Sequence, residues 1–86
     1  MTTPLLDNGQ NLEALVFVRT HIVLHGYPPT VEEVRRAVGL SSTSQAHALL
    51  VRLERLGVIE RTPRTARGIR VTALGRAVDP ETGAVQ

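Results

Sequence analysis

Apolar residues recur at helical intervals three times along this chain before the pattern changes. Between Asn8 and His25, the positions Ala14, Leu15, Val18 and Ile22 fall on one side of a 3.6-residue repeat, with Asn8 placed to cap the start and Gly26 to stop the helix. Tyr27, Pro28 and Pro29 then form an extended turn, because neither proline continues a helix and each restricts its predecessor. Thr30 opens T-V-E-E, a capping box in which Thr30 and Glu33 satisfy each other's backbone donors. Val31, Val34 and Val38 line one face of the second helix, and Gly39 is its left-handed cap. Leu40 and Ser41 lead into S-T-S-Q, where Ser42 and Gln45 again stand three apart. A third helix begins there, with Ala46, Leu49, Leu50, Leu53 and Leu56 as its core stripe and Gly57 as its end.

After Gly57 the repeat shortens. Val58–Arg61 and Ile69–Val71 are short β-type runs around Thr62–Gly68, a loop holding Pro63, Arg64, Arg67 and Gly68. Helix two, a short glycine-containing turn and helix three make a helix-turn-helix, whose second helix is the one offered to DNA. With a basic hairpin behind it, the fold class is a small α+β domain: a three-helix winged helix-turn-helix with a two- or three-stranded wing. The expected boundaries are an N-terminal arm over 1–7, the winged domain over 8–71 and an extension over 72–86. In that extension TALGRAV makes one helical turn capped by Thr72, and DPETGAVQ frays.

Length allows one core and no second domain, since the chain has 86 residues. The absence of cysteine removes disulfides, thiolate zinc sites and cysteine nucleophiles together. Net charge is only +2, and every basic residue is arginine. Its placement is uneven. Residues 1–34 set one arginine against four acidic residues, for −3, whereas residues 35–76 set nine arginines against two glutamates, for +7. A basic block confined to one part of a small domain is the footprint of a polyanion partner.

The start of the chain lacks a basic, long-apolar leader, and the apolar run Ala14–Val18 is far short of the roughly 18 residues of a spanning helix. The expected setting is cytoplasmic, in a bacterial or phage-encoded protein associated with the nucleoid. No G-x-S-x-G, P-loop or H-E-x-x-H is present. No enzyme activity, cofactor, small-molecule substrate or membrane partner is expected. His21 and His25 have the i,i+4 spacing of two metal ligands but no third ligand at a matching spacing, so an exposed pair is expected rather than a metal site.

Read together, GYPPTVEEVRRAVGL and SSTSQAHALLVRLERLGVIERTPRTARGIRV resemble the N-terminal DNA-binding domain of LexA, the SOS-response repressor, from Asn11 to Val71. The diagnostic parts are the G-Y-P-P-T turn, the G-L-S-S turn into helix three, the L-E-R-L-G-V-I-E exit and A-R-G-I-R-V after the wing. The serine-rich start of helix three and His47 are more similar to Gram-positive members. The resemblance implies a winged helix that inserts helix three into the major groove of an operator half-site. Full-length members continue into a domain that dimerises and cuts its linker with a serine and a lysine. This sequence has no lysine, and Gly83-Ala84 reverses the order of the linker's cleavage site, so self-cleavage is not expected of it. It reads as a free-standing relative or an excised fragment.

Helical geometry places Ser44, Ala48, Val51, Arg52 and Arg55 outward on helix three, with Gln45 and His47 at the flanks. Ser42 caps the helix and can donate to a phosphate, with Thr43 beside it in the first turn. Ser44, Gln45 and His47 are candidates for base edges, and Ala48 for a thymine methyl; Gln45 has capping alone as its competing role. Arg64 and Arg67 in the wing belong along the backbone or in the minor groove, and Arg52 is a candidate for a phosphate. Arg35 and Arg36 have an alternative role complementing the dipole of helix two. Helix one carries a second apolar stripe, Leu12, Val16 and Val23, which either packs under Leu74 and Val78 or serves as a protein interface.

The expected function is sequence-specific binding of double-stranded DNA by a LexA-like regulator, occupying a palindromic operator as a homodimer or with a protein partner. The alternative is a winged-helix interaction module that modulates a full-length repressor, polymerase or replication protein.

Overall fold

The structure, a computed structural model, describes residues 4–6 and 9–85. Its elements are α1 (Gly9–His25), α2 (Val31–Val38), α3 (Thr43–Arg55), β1 (Ile59–Arg61), β2 (Ile69–Val71) and α4 (Ala73–Ala77). The expected cap Asn8 lies outside the described residues. The three long helices enclose the core, and the hairpin closes one side of it.

Each helix is defined by the signals that its residues carry. The α1 stripe buries Ala14, Leu15 and Val18 completely. At α2 the capping box is complete: the Thr30 hydroxyl accepts from Glu33 N at 3.1 Å, and the Glu33 carboxylate accepts from Thr30 N at 2.8 Å. At α3 the stripe of Ala46, Leu49, Leu50 and Leu53 is fully buried, which leaves the opposite side of the helix outward. A fully buried leucine is worth about 1.5–3 kcal/mol relative to an exposed one, so this stripe determines the helix's rotation.

The wing is two-stranded and antiparallel, with Ile59 opposite Val71, Glu60 opposite Arg70 and Arg61 opposite Ile69. Alternation buries Ile59, Ile69 and Val71 against the helices and turns the Glu60–Arg70 ion pair outward. Val58 was expected in the first strand but precedes it. Its N–H bonds Leu53 O, closing the end of α3, and its carbonyl accepts from Thr72 N. Helix α4 packs so closely here that a Cβ on Gly75 would lie 2.1 Å from Val58 O; only glycine fits.

Residues 79–85 do not fray. The Asp79 carboxylate accepts from the N–H groups of Glu81 and Thr82, Asp79 N bonds Ala84 O at 2.7 Å, and Val78 bridges to Val85. The loop is pinned to the expected arm: Leu6 is buried in the core, and its N–H donates to Gly83 O at 3.1 Å. Apolar burial of Leu6 and an aspartate-led turn order a segment whose composition suggests none.

Candidate nucleic-acid interface

The start of α3 is organised by local hydrogen bonds. Ser42 is the N-cap, its hydroxyl accepting from Gln45 N at 3.2 Å. The side chain of Gln45 reaches one residue further back than a capping box requires, accepting at 2.9 Å from both N and Oγ of Ser41. An N–H only donates, so the amide oxygen faces Ser41 and the Gln45 NH2 group points away from it. While that bond holds, Gln45 lacks the exposed oxygen-plus-nitrogen pair needed to grip adenine bidentately. It offers donors only.

Thr43, Ser44, His47, Ala48 and Arg55 are exposed on the outward side, and Val51 is half-buried. The N–H groups of Thr43 and Ser44 precede the first bond of the helix, from Ala46 N to Ser42 O, so helix start and dipole together favour an anion. Between this face, the start of α2 and the wing runs an open groove of about 580 Å³, with Thr43, His47, Arg61 and Arg64 among its lining. Arg64 stands exposed at the wing tip, in the left-handed region at φ 61°.

Two candidate arginines are held elsewhere. Arg67 donates to Pro28 O at 2.9 Å and to the Glu33 carboxylate at 2.8 Å, and its guanidinium lies 4.6 Å above the Tyr27 ring. It fastens the wing to the turn before α2 instead of extending from the tip. The Thr30 backbone N–H and then the Arg67 guanidinium hold the Glu33 carboxyl down at about 2, from an ordinary 4.5. Arg52 turns toward helix one, with Nε 3.5 Å from Asn11 Oδ1, away from the groove. On α2, Arg35 pairs with Glu32 and donates to Leu40 O at 3.0 Å just past the helix end, while Arg36 sits 3.4 Å from Glu32. Hydrogen bonding from Arg35 lowers the Glu32 pKa.

One residue that lines the groove was absent from the sequence-based candidates for reading DNA. Arg61, half-buried at the end of β1, donates to His47 Nδ1 at 3.2 Å, joining the wing to α3. The period-two alternation of β1 is the signal that could have shown it, since Arg61 shares a face with buried Ile59.

Of the exposed pair expected on helix one, His25 is exposed and His21 is not. His21 is buried, its Nδ1 donating to Tyr27 O at 2.9 Å, and its ring packs 4.3 Å from His25 and 5.6 Å from Tyr27. The turn's backbone supplies the partner that the sequence pattern leaves unassigned. The second stripe also divides: Leu12 packs on the core, Val16 is half-buried, and Val23 is 83% exposed beside Leu24 at 72%. The C-terminal segment reaches the core through buried Val78, whose carbonyl accepts from Arg19 at 2.7 Å, but Leu74 stays partly exposed against Gly57. No helix among the described residues is long and apolar enough to cross a membrane.

Comparison with known proteins agrees with this geometry. The family described as the LexA DNA binding domain matches residues 6–68. The LexA repressor of Enterococcus faecalis is 47% identical over 66 residues, which is 77% of this chain and 32% of that protein. The LexA repressor of Ligilactobacillus salivarius is 46% identical over 63 residues, 73% of this chain and 31% of its own length. That of Limosilactobacillus fermentum is 37% identical over 75 residues, 87% and 36% respectively. The chain thus spans about a third of the length of the curated relatives it matches.

Proposed function

The chain belongs to the LexA DNA-binding domain family, and from that premise we propose that it is a sequence-specific regulator, a repressor acting by occupying an operator. Helix α3 lies in the major groove of one half-site, and the wing follows the backbone or the minor groove. The observation that carries this reading is the open groove that α3 shares with the start of α2 and the wing, with a fully buried stripe on the other side of α3. Ser42 and the free amides of Thr43 and Ser44 take a phosphate. The side chains of Ser44 and His47 meet base edges, Ala48 meets a thymine methyl, and Gln45 donates through its NH2 group. Arg64 is the wing's contact with the phosphates. Its neighbour Arg67 supports the wing, and Arg52 borders the site.

A palindromic operator holds two such heads, and coupling them raises affinity by about 10²–10⁴ over one alone. Val23 and Leu24 are the apolar surface available for that pairing or for a protein partner. This exposure also favours the second reading, a winged-helix module that modulates a full-length repressor, polymerase or replication protein.

Selection of bound duplexes from a random pool, followed by a salt titration, separates the two. An operator reader enriches a symmetric motif and still prefers it at physiological salt by about 10³-fold or more. Uniform binding that fades steeply with salt, with no motif enriched, rejects operator reading in favour of the interaction module.

A further inference from the structure

We propose that Arg61 is a positioning residue that sets what His47 reads, by holding the imidazole so that Nε2 presents a hydrogen-bond donor to the DNA. The inference rests on the reading of His47 as a base contact and adds a specificity determinant outside helix three.

Arg61 Nη2 lies 3.2 Å from His47 Nδ1. A guanidinium stays protonated and carries donors only, so Nδ1 must be the acceptor. In the neutral ring the proton then sits on Nε2, the nitrogen farther from the backbone. A donor at that position suits N7 and O6 of guanine, N7 of adenine and O4 of thymine, whereas the amino groups of cytosine and adenine are donors themselves and repel it. The opposite tautomer would make Nε2 an acceptor and invert the preference, and turning the ring over about its last torsion would put a carbon where Nε2 stands and remove the donor from that place. Both alternatives are open to an exposed histidine with nothing fixing Nδ1.

The hairpin explains why Arg61 occupies this place. It stands opposite Ile69 and shares the strand face of Ile59, the face turned to the helices, while Glu60 and Arg70 point outward as an ion pair. Alternation at the last residue of β1 therefore aims a cation at helix three. The wing so helps to read bases through a side chain that need not touch them.

Two measurements test this. In the free protein at pH 8, long-range 1H–15N spectra of the imidazole nitrogens should show Nδ1 unprotonated in the wild type and in Arg61→Lys, which also only donates. Arg61→Met, which keeps the stem and loses the donor, should mix the tautomers. A protonated Nδ1 in the wild type overturns the proposal. On the selected operator and its single-base variants, Arg61→Met should lower discrimination about fivefold at the one base pair where His47→Ala also lowers it. Arg61→Lys should retain it, and Arg61→Met should add nothing to discrimination in the His47→Ala background. If His47→Ala relaxes one base pair but Arg61→Met weakens all duplexes equally, Arg61 is a backbone contact and the proposal fails while the reading of His47 stands. If His47→Ala relaxes no position, the base-contact reading fails, and the role of Arg61 falls with it.

Discussion

The first turns of α3 and the wing border the same groove, yet they are organised over different distances in the chain. At the helix start, Ser41, Ser42 and Gln45 satisfy one another within four residues. In the wing, Arg67 is held by Pro28 and Glu33, more than thirty residues earlier, and Arg61 meets His47 fourteen residues back. Ser42 caps α3 as its sequence position suggests, and Gln45 turns its oxygen to the residue just before that cap. Arginines on a hairpin loop go to whichever partner the fold brings near, and two candidates three residues apart, Arg64 and Arg67, end in different surroundings, one exposed and one held.

The largest effect should ignore this difference. Leu50→Ala removes a fully buried side chain beneath α3 and should cost about 2–5 kcal/mol in chemical denaturation, weakening both regions together. A loss below about 1 kcal/mol would contradict the packing described.

Next, Ser44→Ala and His47→Ala should each cost about 1–3 kcal/mol on the operator and relax the preference at one base pair in competition binding. Arg64→Ala should weaken all duplexes alike and lower the slope of log affinity against log salt by about one phosphate contact. If those two patterns come out exchanged, the assignment of bases to the helix and phosphates to the wing is wrong.

Ser42→Ala separates the regions by stability. Loss of the N-cap should cost about 1 kcal/mol, visible as a lower denaturation midpoint, while Ser42→Asp should retain most of it because a carboxylate also caps.

The smallest effect should be the acid response of the wing's fastening. Glu33 has a folded-state pKa of about 2 against 4.5 ordinarily, so its contribution is fully present above 4.5 and is lost as pH falls toward 2. Thermal melting followed from pH 6 to pH 2.5 should show a shallower fall for Glu33→Gln than for the wild type. Identical slopes would mean that Glu33 gains nothing from Thr30 and Arg67 in the folded state.

Much of the fold was legible beforehand because the relevant forces are local or periodic. The T-V-E-E box, the leucine stripe of α3 and the shift from a helical to a two-residue repeat lead to the helix-turn-helix and its two-stranded wing. The cap and outward side of α3 follow from the same signals. Less legible were the partners of long polar side chains. Nothing in the spacing of Arg52 points to Asn11, and a carbonyl partner for His21 exists only once the Tyr27-Pro28-Pro29 turn folds back beside it. The closing loop was missed for the same reason, since its anchor is Leu6, at the far end of the chain.

Periodicity and caps act within a few residues, where the chain's own stereochemistry limits the outcomes, so the 86-residue sequence alone specifies three helices, a hairpin and the side of α3 that faces outward. An arginine has a long flexible stem and five donors, and its final position depends on which acceptors lie within reach after the core has closed. Folding in three dimensions therefore set the different surroundings of Arg61, Arg64 and Arg67: the first meets His47, the second stands exposed at the wing tip, and the third is held by Glu33.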